Sequence, residues 1–242
     1  MKDDYRKKIY DEYHSVHTKN LYGKINTDQI KKKFPALQYY FGDHLPQNKE
    51  ASIIDLGCGY GELVFWLIRR GYKNTSGADI SAEMINTGKE IGILNTYCED
   101  IYNVLENNKN KFDLIFMRDI LEHFNKEEII NITELIYNSL TPAGKLIVQV
   151  PNGQSPFMGK IFYADFTHQT AFTAESIRQV FTSAGFSRVM VKELGPVPKN
   201  FKGRIRKFLW DLEKRFIATL QAISTGDGSG YFTQNIIAII NK

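Results

Sequence analysis

The sequence predicts an α/β fold built on a mostly parallel sheet with helices on both faces. Three observations carry this reading. From residue 51 onward, short apolar runs alternate with longer amphipathic ones. A glycine-rich turn, DLGCGYGE, follows the first apolar run directly. Helix-start signals stand between the runs, with Ser81 ahead of one helix and Asn125 paired with Glu128 ahead of another.

Taken in order, ASIIDLG reads as a buried strand and GELVFWLIRRG as a helix closed by Gly71. NTSGADI is a second strand, followed by a helix to about Lys89. GILNTYCED gives a weaker third strand and KFDLIFMRD a fourth. The next helix turns Ile129, Ile132, Ile136 and Leu140 to one face. GKLIVQVPN is the fifth strand. A helix over 173–184 ends at Gly185, FSRVMVKEL makes a sixth strand, and YFTQNIIAII makes a seventh. No βα unit of the usual length separates the last two strands. Outside this rhythm lie an N-terminal helical segment, 1–45, and a segment at 196–229, both taken as parts of one domain spanning 1–242.

Composition narrows the function. A chain of 242 residues with 43% hydrophobic content can bury a substantial core. The start, MKDDYRKKIY, lacks the apolar centre of a secretory signal, and no apolar run is long enough to span a bilayer, so a cytoplasmic location is expected. Cys58 and Cys98 are too few for a disulfide framework and are not clustered as zinc ligands, so no metal is implied. The net charge of +4 is mild for a nucleic-acid binder, and none is expected as a partner.

Ligands of open α/β sheets sit beyond the carboxyl ends of the strands, which makes the turn after the first strand the place for a cofactor. Asp55, Gly57, Gly59 and Gly61 form D-x-G-x-G-x-G there, and absent side chains let backbone approach a ligand. A dinucleotide fingerprint would have glycine three places after Gly59, where Glu62 stands. Asp55 and Asp79, at the ends of strands one and two, are expected to accept hydrogen bonds from the ligand, and a carboxylate at Asp79 matches ribose hydroxyls.

These residues resemble the class I S-adenosylmethionine-dependent methyltransferases over residues 50–195 and the final strand. The matching stretches are IIDLGCGYGE, the acid in GADIS, CEDI, FDLIFMRDILEHF and the VPN that ends strand five. The resemblance implies a Rossmann-like, three-layer fold with a seven-stranded sheet whose last strand is antiparallel. It implies that Gly57 and Gly59 line the methionine part of S-adenosylmethionine and that Asp79 takes the ribose hydroxyls. Ile80 would lie against adenine, Asp100 would accept from its amino group with Ile101 beside it, and Met117 and Arg118 would flank the sulfonium.

Methyl transfer asks mainly for a positioned nucleophile and, for an alcohol, a base. Methyltransferases acting on base amino groups often carry Pro-Pro and an aromatic residue after strand four, where this chain has Arg118-Asp119-Ile120-Leu121. DILEHF instead resembles the ubiquinone-pathway and related small-molecule enzymes. His123 is then either a general base or a partner for backbone near the cofactor. YADFTHQTAFT, after strand five, resembles a loop of methyltransferases encoded with bacterial surface-glycan enzymes. Its His168 is expected to take the proton of the acceptor hydroxyl. Asp165 would orient it or bind the acceptor, and Phe157, Phe162, Tyr163 and Phe166 would form a dry wall. The bland alternative has His168 and Asp165 bonding to each other and to backbone, pinning the loop.

In the N-terminal segment, Tyr10, Tyr13, His14 and His17 are expected on a helix that closes over the cofactor or packs on the surface. FKGRIRKFLWDLEKRFIATLQAIST is amphipathic, with Ile205, Phe208, Leu212, Phe216, Leu220 and Ile223 on one face. Six cations against two acids give it a local +4. It would pack over the sheet or a second subunit, recognise a phosphate-bearing acceptor, or touch an anionic membrane. The expected activity is O-methylation of a sugar or phosphorylated glycan precursor for surface polysaccharide. Methylation of another metabolite such as a quinone precursor, and a catalytically silent cofactor-binding subunit, are the alternatives, with a homodimer allowed.

Overall fold

A computed structural model describes residues 5, 6, 9 and 25–242. The readings at Tyr10, Tyr13, His14 and His17 lie outside the described residues. The strands are β1 (Ile53–Leu56), β2 (Thr75–Asp79), β3 (Thr96–Cys98), β4 (Phe112–Arg118), β5 (Leu140–Pro151), β6 (Arg188–Glu193) and β7 (Asn235–Asn241). They form one sheet in the order β3-β2-β1-β4-β5-β7-β6. The first five pair in parallel, and β7 runs antiparallel to both β5 and β6. Inserting β7 between β5 and β6 explains why the chain needs no βα crossover before its last strand.

Side chains that alternate along each strand build two separate cores. Ile54, Ile115, Met117, Leu146 and Val148 belong to one, and Ile53, Leu114, Phe116 and Ile147 to the other. Both faces of the central strands are therefore buried, as continuous apolar runs predict. Helices α1 (Thr27–Phe41) and α2 (Glu62–Arg69) cover the second core with Leu37, Phe41, Leu63 and Trp66. The Phe41 ring meets Phe116 edge-on at 5.5 Å between centroids. Thus residues 27–41 of the N-terminal segment are a packed layer of the fold, not a lid.

Helix α3 (Ala82–Glu90) follows β2, capped by Ser81, and α4 (Ile101–Glu106) follows β3, capped by Asp100. Helix α5 (Lys126–Ser139) begins in the full capping box of Asn125 and Glu128. The short α6 (Met158–Phe162) precedes the aromatic loop, and α7 (Ala174–Ser183), capped by Thr173, follows it. Helix α8 (Phe201–Thr225) joins β6 to β7. Helices α5 and α7 pack their apolar faces into the first core through Ile129, Ile132, Ile136, Ile177 and Phe181. With α1 and α2 on one face and α5 on the other, the turns after β1 and β4 face each other across a crevice.

Candidate active site

The site begins at the glycine turn after β1. Gly57, Gly59 and Gly61 have φ of 72°, 55° and 86°, a region L-residues seldom enter. A Cβ at Gly57 would lie 2.0 Å from Cδ1 of Ile120, so the turn and the segment after β4 close together only because that side chain is absent. Gly59 N donates to Asp79 Oδ2 at 2.7 Å, and Ser81 N donates to Asp79 Oδ1 at 2.9 Å. The carboxylate of β2 thus holds the turn after β1 in place while its remaining lone pairs stay available.

These turns line a cavity of about 580 Å³. Gly57 and Gly59, Asp79 and Ile80, Asp100 and Ile101, and Arg118 all contribute to its wall, as the sequence suggests. Three expected ligand contacts do not. Asp55 is 1% exposed and lies beneath the glycine turn, away from the cavity. Gly61 is the N-cap of α2. Met117 is fully buried in the first core, because neighbouring residues of a strand point to opposite faces and Arg118 takes the cavity side.

Arg118 and Asp55 share the strand face that α2 covers. The Asp55 carboxylate finds no hydrogen-bond partner among the described residues. Burial pushes its pKa up to about 7, against the pull of the Arg118 guanidinium. Glu62 lies 3.7 Å from Arg118 Nη1 and also accepts from Lys33 Nζ of α1 and from Tyr60 Oη. Burial alone would raise the Glu62 pKa, but the Arg118 and Lys33 charges outweigh it and the net shift is downward. The acid after Gly61 therefore faces α1 and β4.

Past β4 the backbone turns sharply. Asp119 has φ of 56°, an uncommon conformation for a residue with a side chain, and lines the cavity. Gln149 Nε2 donates to its Oδ2 at 2.7 Å, and Asn235 Nδ2 to its Oδ1 at 3.1 Å. The 3₁₀ turn Leu121–His123 follows, and His123 lines the cavity.

The loop after α6 holds that turn. Gln169 N and Thr170 N both donate to the Glu122 carbonyl, at 2.7 and 3.1 Å. Gln169 Nε2 donates to the His123 carbonyl at 3.0 Å, and Thr170 Oγ1 to the Phe124 carbonyl at 2.8 Å. His123 Nδ1 lies 2.7 Å from Thr167 Oγ1, whose hydroxyl donates to Asp165 Oδ1 at 2.6 Å. A hydroxyl that gives its hydrogen to Asp165 has only lone pairs to offer the imidazole. The imidazole is thus held by Thr167 at Nδ1 and by a further bond to the Asp119 backbone.

The expected arrangement of Asp165, His168 and the aromatics is corrected here. His168 does not line the cavity and does not bond to the Asp165 side chain; its Nδ1 donates to the Phe162 carbonyl at 2.8 Å, and its ring stands edge-on to His123 with centroids 4.7 Å apart. Asp165 acts on His123 through Thr167. Phe157, Tyr163 and Phe166 are exposed and are not on the cavity wall; Phe166 meets the Tyr5 ring edge-on at 5.9 Å. Behind both histidines lies Glu122, fully buried, its carboxyl oxygens without a hydrogen-bond partner among the described residues. Burial, then the nearby Asp119 and Asp165, pushes its pKa well above the ordinary carboxyl range. Its Oε1 is 4.0 Å from His168 Nε2.

Sequence reasoning missed Arg6, Glu128, Asp119 and Thr167. Arg6 donates twice to Glu128, at 3.0 and 2.7 Å, and once to the His123 carbonyl at 2.9 Å, on the cavity wall. Nothing local marks Arg6, since its partners are more than a hundred residues away. Asp119 and Thr167 lay inside the quoted motifs without a role.

Replacing Arg118 by Met leaves Asp55 and Glu62 buried without their shared cation, and loss of one partner of a buried charge set costs about 3–5 kcal/mol. Chemical denaturation of Arg118→Met should show a loss of that order; a change below about 0.5 kcal/mol would show that the charges are not coupled.

A family model described as "Methyltransferase domain" matches residues 26–191. The chain is 24% identical over 193 residues to a phosphoethanolamine N-methyltransferase of Plasmodium falciparum, covering 75% of this chain and 71% of that protein. Its fold superposes on a S-adenosylmethionine-dependent methyltransferase from Archaeoglobus fulgidus with a TM-score of 0.65 at 19% identity, covering 89% of this chain and 97% of the other. It also superposes on phosphoethanolamine N-methyltransferase 2 of Haemonchus contortus, solved with S-adenosyl-L-methionine. There the TM-score is 0.59 at 18% identity, covering 96% of this chain and 60% of that one. A matched model over most of the sheet, and a site at the crevice where that sheet reverses its strand order, lead to one conclusion: the chain belongs to the methyltransferase domain family and is an S-adenosylmethionine-dependent methyltransferase.

Proposed function

We propose that this methyltransferase alkylates a hydroxyl of a small acceptor, a sugar or phosphorylated glycan precursor, with His123 as the general base. The observation that carries the reading is the relay from Asp165 through Thr167 to His123 Nδ1, which fixes the orientation of an imidazole on the cavity wall. S-adenosylmethionine supplies a methyl carbon already activated by positive sulfur, so the chain's task is to position the acceptor and accept its proton.

The cradle fits that cofactor. Gly57 and Gly59 leave room for close backbone approach, Asp79 faces the cavity with lone pairs to spare, and Ile80 and Ile101 give apolar surface beside Asp100. We assign Gly57 and Gly59 to the methionine part, Asp79 to the ribose hydroxyls, and Ile80, Asp100 and Ile101 to adenine. Asp55 and Gly61 support the cradle from behind. Arg6, seated on Glu128 beside His123, would bound the acceptor side of the cavity. Asp79→Ala removes a charged acceptor and should weaken S-adenosylmethionine binding by roughly 1–3 kcal/mol. Isothermal calorimetry with unchanged affinity would sink that assignment.

A second reading has a specific observation in its favour. One relative is a phosphoethanolamine N-methyltransferase, and Asp119 lines the cavity, a carboxylate that would suit an ammonium group there. A methyl-transfer screen against nucleotide sugars, phosphorylated sugars, phenols and phosphoethanolamine separates the two. O-methylated sugar is the expected product; turnover confined to phosphoethanolamine nitrogen would replace the first reading with the second.

The base has its own signatures. His123→Ala should lower turnover by about 10²–10⁴-fold while leaving cofactor affinity nearly unchanged. Burial, then the nearby His168, lowers the His123 pKa from 6.5 to about 4, so the ring stays neutral at neutral pH. Its folded value lies below its unfolded one. The unfolded chain therefore takes up the proton first on acidification, and stability present above pH 6.5 is lost as the pH falls toward about 4. Denaturation of the wild type across that window should show the slope, and His123→Gln should flatten it; equal slopes would place the histidine in a solvated setting.

A further inference from the structure

Helix α8 is turned inside out. It is 25 residues long, about 37 Å, and none of its residues is buried. The side toward the protein carries Trp210, Lys214, Ala218 and Gln221, with Lys214 paired to Glu193 and Gln221 donating to the Ser229 carbonyl at 2.9 Å. The apolar arc points the other way. Ile205, Phe208, Leu212, Phe216, Leu220 and Ile223 are all exposed, Phe208 by 62% and Ile223 by 78%. At 100° per residue these six fall within an arc of about 120°, and Phe201 and Leu209 fall inside it. A contiguous stripe of this size is unusual on a surface that meets only water. None of the described residues covers it.

Its edges are basic. Arg204 and Arg215 border one side of the stripe, and Lys202 and Arg206 the other, with Glu213 the one acid among these borders. Asp211 is already paired with Lys207. A two-fold pairing of this face with a second copy would bring cationic borders together. An anionic plane would satisfy both borders at once, with the aliphatic stems of Lys and Arg lying along the acyl boundary and their charges at the headgroups.

We propose that α8 docks this methyltransferase flat on an anionic lipid surface, with the Phe201-to-Ile223 stripe entering the headgroup layer and the flanking arginines and lysines binding lipid phosphates. No helix among the described residues is long and apolar enough to cross a membrane, so the contact is in the plane of the surface. The placement also reaches the acceptor side of the site. The segment after α8 hydrogen-bonds the end of β5 and the residues beyond it: Asn152 Nδ2 donates to the Tyr231 and Thr233 carbonyls at 2.7 and 2.8 Å, and Tyr231 N donates to Gln154 Oε1 at 3.2 Å. A lipid surface under α8 would therefore bear on the segment that leads from β5 into the loop holding His123. The docking itself stands whether the acceptor proves to be a sugar or an amine.

Flotation of the full chain with vesicles of phosphatidylcholine, and of phosphatidylcholine mixed with phosphatidylglycerol, tests this. Binding to the mixed vesicles alone, weakened by salt, is the expected result. Arg204→Gln, Arg206→Gln and Arg215→Gln together should reduce partitioning on the order of a hundredfold, near fivefold for each cation. Phe208→Ser, Leu212→Ser and Phe216→Ser together should reduce it at least roughly tenfold. Both triple variants change exposed side chains only, so thermal unfolding and S-adenosylmethionine binding should match the wild type and confirm intact folding. Absence of vesicle binding by the wild type overturns the proposal. If light scattering then finds a dimer that the apolar triple variant converts to monomer, the face belongs to a second copy.

Discussion

The site is organised around a cation that the sheet has to accommodate. Arg118 ends β4, the central strand, on the face covered by α2, where a guanidinium without counter-charge would be untenable. Asp55 on β1 and Glu62 at the start of α2 supply that charge from two directions. Glu62 passes the constraint outward to Lys33 of α1, so one cluster links two strands and two helices. The glycine turn lies between Asp55 and Glu62, and its path is therefore set by charge compensation beneath it as well as by absent side chains above it. The same cluster explains why Asp55 is raised to about 7 while Glu62 is lowered: both are buried, but only Glu62 has two cations and a phenol hydroxyl.

A second set of bonds gives the opposite wall its rigidity. At and just after the turn Leu121–His123, the 165–170 loop donates to the Glu122, His123 and Phe124 carbonyls in succession. That loop then spends its one buried hydroxyl on connecting Asp165 to His123. The positioning of the imidazole and the ordering of the loop are one event. An acid and a histidine inside an aromatic stretch are explained by this, though by different partners: Asp165 serves His123, while His168 anchors to Phe162 and packs behind.

Helix α8 shows how periodicity and placement separate. Its 3.6-residue stripe is real, and the same pattern in α5 buries Ile129, Ile132 and Ile136 against the sheet. In α8 the fixed contacts lie on the other side. Trp210 packs by Gly195, Lys214 pairs with Glu193 on β6, and Gly228 packs against the Ala218 carbonyl. These hold the helix with its apolar side outward. Two further polar ties, Gln221 to Ser229 and Gly226 N to the Ala222 carbonyl, end it before the chain turns back toward β7.

The sequence by itself determined the element order, the caps at Ser81 and Asn125, and the glycine turn, because each depends on residues within a few positions of one another. Strand-end position pointed to Asp79, and the family resemblance to Ile80, Asp100 and Ile101, all of which line the cavity. The antiparallel last strand followed from family resemblance alone. Only the tertiary structure decided which way a side chain at such an end points. Met117 and Arg118 are neighbours in sequence and lie in different layers, and Asp55 lies on the face that Arg118 shares, beneath the glycine loop. His123, not His168, reaches the cavity because distant backbone carbonyls dictate where the 165–170 loop lands. The outward stripe of α8 was decided in the same way: a helix records its own period, but the residues that hold it are supplied by the rest of the chain.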